Sequence, residues 1–317
     1  MKEIGGYIEL DTYHLPMLHE GAIALNCGRN ALAYLLRARN IKRLWLPKFI
    51  CDSVTGVCER EQVPYSFYSI GLDFLPSQEI QLGENEWFYF VNYYSQFSNE
   101  IIYQFVQKYE RVIVDNAQSY FQEPIPHVDT LYTCRKYYGV ADGAFLYTDA
   151  ILDEELSTDE SFERMHFLLG RYERTASEFY SEYIDNNKSF SAEPIKRMSK
   201  LTCNLLHGID YERVRTIRQN NYSCLHQALC KWNKLKLSDK PGTFMYPFFL
   251  NNGREVRKRL QEKKIYIPTL WPSVYKIATS DSMEYKMAEN ILPLPIDQRY
   301  SRNDLTYMLK CLLEFIN

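Results

Sequence analysis

Short apolar runs alternate with segments of helical periodicity along the first half of this chain. Residues 21–25 are apolar, a glycine-containing turn follows, and the leucines of residues 31–39 then fall on one helical face. Strands that alternate with helices in this way form mostly parallel sheets wrapped by helices. The pattern therefore predicts an α/β fold with a mixed, mostly parallel sheet of about seven strands. The strands are predicted at residues 21–25, 43–46, 64–70, 86–94, 111–114, 130–134 and 144–148.

The pattern changes after about residue 150. Residues 158–185 and 192–235 are long, charged and helical in period, and Pro241-Gly242 then breaks the chain. A β-α-β-like unit follows, with a strand at 243–250, a helix at 254–264, a strand at 265–271 and a last helix at about 302–316. A chain of 317 residues is long enough for two unequal domains. We predict a large domain at residues 1–205 and a small C-terminal α/β domain at residues 206–317.

Charge and cysteine usage exclude several classes of function. The net charge of −3 gives no basic excess for nucleic acid or for an anionic membrane. No run of about 18 apolar residues could cross a membrane, and the first residues lack the apolar core of a secretory signal. The eight cysteines contain no CxxC pair, and the six histidines are scattered, so no metal site is expected. We expect reduced thiols and a cytoplasmic location.

Asp115 is the first candidate site residue. It follows the apolar run 111–114, at the carboxyl end of a predicted strand, which is where ligands bind to such sheets. A carboxylate at the tip of a buried strand is costly unless a partner pairs with it. The alternative is that Asp115 only caps the turn that follows the strand.

Lys136 is the second candidate. It lies after a short predicted strand, between aromatic residues, and a glycine-rich turn follows at residues 139–143. A lysine in such surroundings can have a lowered pKa and act as a nucleophile. The alternative is an ordinary surface lysine on a loop.

The segment from Cys27 to Asn30 is the third candidate. A glycine turn that opens a helix offers free backbone N–H groups and the positive end of the helix dipole, which suits a phosphate group. Many helices begin this way, so the pattern alone is unspecific. The sequence contains no Gly-x-Ser-x-Gly elbow, no Walker-type loop and no Rossmann glycine triplet.

A phosphate-binding turn, then an aspartate at a strand end, then a lysine after the next strand is the order found in fold-type I pyridoxal-phosphate enzymes. The chain resembles the DegT/DnrJ/StrS aminotransferase family, whose best-known members act on nucleotide-linked sugars. No single motif is specific, but six in the right order over nearly 300 residues are hard to obtain by chance. They are Gly28-Arg-Asn-Ala-Leu32, Leu46-Pro-Lys-Phe49, Val114-Asp-Asn-Ala-Gln118, Thr133-Cys-Arg-Lys-Tyr-Tyr-Gly139, Arg197-Met-Ser199 and Pro295-Ile-Asp-Gln-Arg-Tyr300.

The resemblance implies a role for each matching residue. Lys136 would be the Schiff-base lysine and would later carry the proton between substrate and cofactor. Asp115 would keep the pyridine nitrogen of pyridoxal 5'-phosphate protonated, which makes the ring an electron sink. The other cofactor-binding positions are Gln118 at the phenolic oxygen, Gly28, Arg29 and Asn30 at the phosphate, and Thr133 near the phosphate or near Asp115.

Two positions depart from the family pattern. Many members place an aromatic ring, which stacks on the cofactor, where this chain has Cys51. The family often supplies an asparagine from the partner subunit just before Arg-Met, and the matching stretch here contains Ile195 instead. These departures bear on substrate choice more than on cofactor binding.

The resemblance implies a homodimer that transfers an amino group from glutamate or a similar donor to a keto group. The keto acceptor would be a nucleotide-linked sugar used for a surface polysaccharide or a secondary metabolite. The presence of Lys136 favours transamination over the sugar dehydratases of the family, which lack this lysine. Two alternatives remain: a non-catalytic relative that serves as an assembly or regulatory partner, and a pyridoxal-phosphate enzyme with a non-sugar keto substrate.

Overall fold

The computed structural model describes residues 4–238 and 241–316, and its first half is built on a seven-stranded sheet. The order of strands across the sheet is β1-β7-β6-β5-β4-β2-β3, with six strands running in one direction and β7 in the other. The predicted α/β class and mostly parallel sheet are therefore confirmed. The strands are β1 (Ile23–Leu25), β2 (Arg43–Pro47), β3 (Tyr65–Tyr68), β4 (Glu86–Val91), β5 (Val112–Asp115), β6 (Asp129–Thr133) and β7 (Ala144–Tyr147).

Three helices connect the parallel strands: α1 (Gly28–Ala38), α2 (Asp52–Arg60) and α3 (Asn99–Tyr109). Because parallel strands end at the same edge of a sheet, the carboxyl ends of β4, β5 and β6 lie close together, with Asp115 in register with Val91 and Leu131. The strand predicted at 86–94 ends early, at Val91. Tyr94 has a φ of 50°, a left-handed conformation that cannot continue a strand.

The long helical segments predicted at 158–185 and 192–235 are interrupted in the structure. They contain α4 (His166–Glu173), α5 (Tyr180–Ser189), α6 (Lys200–Leu206) and α7 (Tyr211–Leu229). The helices α6 and α7 each begin at their own N-cap residue. The Ser199 side chain accepts from the Thr202 N–H, and the Asp210 side chain accepts from the Arg213 N–H. The prediction recognised the helical period but not the caps that divide it.

The C-terminal part is a two-stranded antiparallel sheet covered by helices. Its elements are β8 (Met245–Phe249), α8 (Gly253–Glu262), α9 (Val274–Ile277), α10 (Met283–Asn290), β9 (Ile291–Pro295) and α11 (Arg302–Ile316). The strand predicted at 265–271 was wrong, since β8 pairs with β9 instead. Residues 265–271 form no regular element, although Ile267 is still buried in the core.

Three buried apolar clusters are found in the described residues. The first surrounds the seven-stranded sheet, and the second is formed by α7, α8, α11 and the β8–β9 pair. The third is rich in tyrosine and lies between β6, β7 and the helices α6 and α7. The proposed domain boundary between residues 205 and 206 stays a prediction. At Gly253 a glycine is required, because a Cβ atom there would lie 2.0 Å from the backbone oxygen of Asn290.

The N-terminal segment is anchored by His19, which is 2% exposed and surrounded by aromatic rings. Its Nε2 lies 2.9 Å from the carbonyl oxygen of Tyr120, and its Nδ1 lies 3.2 Å from the Tyr147 hydroxyl. A carbonyl can only accept, so Nε2 carries the proton and Nδ1 accepts from the tyrosine. Burial lowers the pKa of His19 to about 4, against an ordinary value of 6.5.

None of the helices in the described ranges is both long and apolar enough to cross a membrane.

Candidate active site

Asp115 lies at the end of β5, where its carboxylate is fixed by two donors. The Tyr89 hydroxyl donates to Oδ2 at 2.9 Å, and the Ala117 N–H donates to Oδ1 at 2.8 Å. Burial and the neighbouring carboxylate both raise the pKa of Tyr89 well above its ordinary value, so this phenol stays protonated and keeps donating. Asp115 therefore caps its own turn, and it also presents a fixed charge at the carboxyl edge of the sheet.

Lys136 lies in the loop after β6 and faces Asp115. Desolvation by the surrounding protein groups lowers the pKa of the amine, while the nearby Asp115 carboxylate opposes that shift. The Nζ atom lies 5.5 Å from the centre of the Phe244 ring. The side chain nevertheless retains solvent-accessible surface. It is therefore a lysine of lowered basicity that a small molecule can reach.

Residues from the C-terminal part hold the segment next to Lys136. The buried Arg218 of α7 stacks on the Tyr137 ring at 4.4 Å and donates to the carbonyl oxygens of Thr243 and Phe244, each at 3.1 Å. Gln298 accepts from Arg218 at 3.1 Å and donates to the Tyr137 carbonyl at 2.7 Å. The sequence analysis missed Arg218, because an arginine in the middle of a charged helix gives no local signal of burial.

The turn that follows Lys136 is fixed by Asp142, which is fully buried. Its carboxylate accepts from the backbone N–H of Ser199 at 2.8 Å, from the Ser199 hydroxyl at 2.7 Å and from the Thr202 hydroxyl. Cys134 packs under this turn with no exposed surface, and burial raises the pKa of its thiol. Cys134 is therefore a packing residue.

The start of α1 offers two free backbone donors. Within the part of the chain that the structure describes, the N–H groups of Gly28 and Arg29 have no acceptor. A Cβ atom at Gly28 would lie 4.0 Å from the Thr133 Cβ, so Thr133 is next to the helix start. The structure thus brings together three of the four residues predicted near a phosphate.

Asn30, the fourth of these residues, points into the protein. Its N–H donates to the Cys27 carbonyl at 3.1 Å, and its side chain donates to the Pro194 carbonyl at 2.7 Å. The Arg60 guanidinium donates to its Oδ1 at 2.9 Å. These bonds use the polar groups of Asn30 to attach α1 to its neighbours.

Two cations, Arg29 and Arg135, converge beside the start of α1. Both donate to the Oδ1 atom of Asn187, at 3.5 Å and 3.3 Å, and Arg135 also lies 4.9 Å from the centre of the Phe190 ring. The sequence analysis singled out Arg29 but missed Arg135 and Asn187. The position of Arg135 directly before Lys136 was the available signal for it, whereas no local pattern marks Asn187.

Gln118 is buried and its side-chain orientation is defined. Its Oε1 accepts from the Tyr94 N–H at 2.8 Å, which stabilises the left-handed conformation of Tyr94. The Nε2 atom of the same amide makes no hydrogen bond within residues 4–238 and 241–316. It is therefore a free donor of this side chain.

Cys51 lies directly before α2, where its Sγ accepts from the Ser53 hydroxyl at 3.1 Å. The nearby Phe49 ring is buried against Tyr93 and Trp271, so it does not take the place of an aromatic ring at Cys51. Ile195, the second departure, is also a buried core residue.

No protein-family model and no curated protein matches the sequence. Solved structures are similar in fold at low sequence identity. A DegT DnrJ EryC1 StrS aminotransferase from Brucella abortus aligns over 94% of this chain and 86% of its own, with 15% identity and a TM-score of 0.63. The sugar aminotransferase CalS13 from Micromonospora echinospora aligns over 93% and 88%, with 11% identity and a TM-score of 0.62. NtdA from Bacillus subtilis, solved with bound cofactor PMP, aligns over 92% and 72%, with 13% identity and a TM-score of 0.65.

These similarities cover almost the whole chain and include both the seven-stranded sheet and the C-terminal part. The resemblance inferred from the six sequence motifs is therefore matched in three dimensions, and this chain has the fold of the DegT/DnrJ/EryC1/StrS-type aminotransferases.

Proposed function

We propose that this protein is an aminotransferase dependent on pyridoxal 5'-phosphate, with Lys136 and Asp115 at its catalytic centre. The observation that carries the proposal is the pairing of an accessible lysine of lowered pKa with a fixed carboxylate at the edge of the sheet. A lysine of perturbed pKa that faces a carboxylate is typical of catalytic sites. The fold shared with aminotransferases supports the same activity.

The donors and acceptors of the site fit the cofactor from one end to the other. Asp115 would pair with the pyridine nitrogen, and the Nε2 of Gln118 would donate to the phenolic oxygen. The free N–H groups of Gly28 and Arg29, with Thr133, would hold the phosphate. When bound, pyridoxal phosphate supplies an electron sink for breaking bonds at the substrate carbon.

Lys136 acts both as a nucleophile and as a carrier of a proton. Desolvation increases the fraction of its amine that is neutral, and only the neutral amine can attack a carbonyl or take up a proton. Phe244 covers one side of Nζ at 5.5 Å and limits the access of water. Tyr89 fixes the orientation of the Asp115 carboxylate, so that the charge stays where a protonated nitrogen would need it.

The proposed substrates are glutamate as amino donor and a nucleotide-linked keto sugar as acceptor, in the synthesis of a surface polysaccharide or a secondary metabolite. The sugar assignment is supported by CalS13, which is named a sugar aminotransferase. A cytoplasmic location belongs to the same proposal and agrees with the eight free cysteines, since reduced thiols are usual in that compartment.

A homodimer is also part of the proposal. Large apolar side chains lie exposed on the N-terminal segment, where Ile4 and Tyr7 are both 98% exposed, and on α4, where Tyr172 is 93% exposed. Clusters of exposed apolar residues usually mark contact surfaces. Light scattering after size-exclusion chromatography should give a mass of about twice the 37.6 kDa of one chain. A monomer at micromolar concentration would contradict this part of the proposal.

Covalent trapping tests the role of Lys136 directly. The purified protein is mixed with pyridoxal phosphate and reduced with borohydride, and the modified lysine is identified by mass spectrometry. We expect modification at Lys136 in the wild type and in a Lys258→Ala control, which removes an exposed lysine of α8, but not in Lys136→Ala. The cofactor-loaded protein should also release one equivalent of 2-oxoglutarate from glutamate.

The outcomes separate the proposed activity from the alternatives. Modification spread over surface lysines, without enrichment at Lys136, would refute the proposed site and favour a non-catalytic relative, to which the missing aromatic ring at Cys51 also points. Modification at Lys136 without turnover of glutamate would refute the choice of donor. Turnover with simple keto acids but with no keto sugar would favour the non-sugar substrate.

A further inference from the structure

We propose that Arg29 and Arg135, positioned by Asn187, form the main phosphate-binding site of this protein and that the site is built entirely within one chain. The identity of the ligand, the phosphate group of pyridoxal phosphate, rests on the function proposed above. The assignment of the two arginines as an anion site rests on their own geometry and charge.

The two guanidinium groups are held together by a single neutral atom. The Nη1 atoms of Arg29 and Arg135 lie 3.5 Å and 3.3 Å from the Oδ1 atom of Asn187. A guanidinium has five N–H donors, and each of these groups makes one side-chain hydrogen bond here. Their remaining donors are available to an anion, and a planar guanidinium fits a phosphate with two parallel hydrogen bonds.

Neither guanidinium is neutralised by the protein. Among the residues that the structure describes, no carboxylate lies within 4.0 Å of Arg29 or Arg135. The neighbouring Arg164 differs, because it packs on the same Phe190 ring but forms a 2.6 Å ion pair with Asp159. Two adjacent unpaired cations repel each other and lose hydration, and a bound anion would relieve both costs. In agreement with this, burial lowers the pKa of Arg135.

The cations lie at the start of α1, next to further donors. Their charges reach the thiol of Cys27, directly before the helix, where both oppose the rise of its pKa. The free N–H groups of Gly28 and Arg29 and the side chain of Thr133 lie at the same place. Two guanidiniums, two backbone donors and the helix dipole therefore converge on one small region.

A phosphate monoester of the cofactor and the diphosphate of a nucleotide-linked substrate share the chemistry that this region recognises. The position of the arginine pair in the chain favours the cofactor over the nucleotide-linked substrate. Arg135 directly precedes Lys136 in the chain, so the phosphate and the reactive carbonyl of one small molecule can be held at the same time.

Asn187→Asp provides the sharpest test, because it changes one neutral atom into a charged one without changing the shape of the side chain. The new carboxylate would pair with both arginines and compete with the phosphate. We expect the Kd for pyridoxal phosphate to rise by about 10- to 100-fold, the usual effect of losing hydrogen bonds to a charged group. The Kd for pyridoxal, which lacks the phosphate, should stay the same, and the melting temperature should not fall.

Two further variants complete the set. Arg135→Gln should weaken binding of pyridoxal phosphate by a similar factor, again without affecting pyridoxal. Arg171→Gln removes an exposed arginine of α4 and leaves both affinities as in the wild type, which controls for net charge. Binding is followed by absorbance titration in a buffer free of phosphate and sulfate.

The test also separates this proposal from the proposed enzymatic function. Inorganic phosphate should raise the melting temperature of the wild type and of Lys136→Ala, but not that of Asn187→Asp, whether or not the protein transfers amino groups. Equal losses of affinity for pyridoxal phosphate and pyridoxal in Arg135→Gln would refute a phosphate site. If the variants lost affinity for uridine diphosphate and kept it for pyridoxal phosphate, the assignment to the cofactor would be wrong.

Discussion

The buried His19 should make the stability of this protein depend on pH in a window that one substitution can remove. The ring is neutral in the folded protein, where Nε2 donates to a backbone carbonyl and Nδ1 accepts from the Tyr147 hydroxyl. Its pKa is lowered to about 4 by burial, whereas the unfolded chain has the ordinary value of 6.5. Below pH 6.5 the unfolded chain therefore binds a proton that the folded protein excludes, and unfolding becomes easier.

The size of the effect follows from the difference between the two pKa values. One pKa unit corresponds to about 1.4 kcal/mol, so the full effect is about 3 kcal/mol in the free energy of unfolding. The stabilisation is intact above pH 6.5 and is lost progressively as the pH falls towards 4. Between pH 7 and pH 5 the loss should be about 2 kcal/mol.

His19→Gln keeps a donor and an acceptor on the side chain but cannot titrate. We expect urea unfolding, followed by fluorescence, to show that the wild type loses about 2 kcal/mol more than His19→Gln between pH 7 and pH 5. Carboxylates also titrate in this range, but they contribute equally to both proteins. His14→Gln, at an exposed position, should follow the wild type. If the free energy of unfolding changed equally with pH in the wild type and in His19→Gln, the reasoning would be refuted, whatever the absolute stabilities of the two proteins.

Three other substitutions test separate parts of the structure. Gly253→Ala should lower the free energy of unfolding by about 3 kcal/mol or more, because its Cβ would meet a backbone oxygen at 2.0 Å. Gly56→Ala, at an open position of α2, should raise it by about 0.5–1 kcal/mol. Urea unfolding of both variants would show whether the close approach is real. Asp115→Asn should lower the pKa of Lys136 further, since the Asp115 carboxylate raises it, and the pH dependence of acetylation at Lys136 in the cofactor-free protein measures the change. Arg218→Met should lower the free energy of unfolding by about 3–5 kcal/mol, because a buried and a partly buried carbonyl lose their donor. Unfolding at an unchanged urea concentration would contradict that role.

The strands were predictable from the sequence where local pattern and final pairing agree. Each of the runs that became β2 to β7 is short, contains β-branched, aromatic or leucine side chains and is bounded by a turn or a helix, so its own composition indicates a strand. Residues 265–271 look similar, but strand formation also requires a neighbouring strand to pair with. That partner for β8 came from Ile291–Pro295 instead, a choice that depends on contacts far apart in the chain. Single-sequence patterns do not contain this information.

The site shows the same limit. Asp115 and Lys136 follow strands, so their neighbourhood at the sheet edge could be inferred from topology alone. Gly28 and Thr133 also lie together, for the same reason. The side chain of Asn30, however, turns inward, because hydrogen bonds to α2 and to residue 194 decide its direction. Contacts of this kind depend on side-chain geometry that no spacing rule describes.

The two departures from the family pattern can be related to the arginine pair, Arg29 and Arg135. In the family that this chain resembles, an aromatic ring stacks on the cofactor and a second subunit contributes an asparagine. Here the corresponding positions hold Cys51, which cannot stack in that way, and Ile195, which is buried in the core. For the proposed cofactor, the missing stacking at Cys51 leaves a larger share of the affinity to other contacts. The unpaired charges of Arg29 and Arg135 provide such contacts at the phosphate end, where two charge-assisted hydrogen-bonding groups can offset the loss of stacking over the ring.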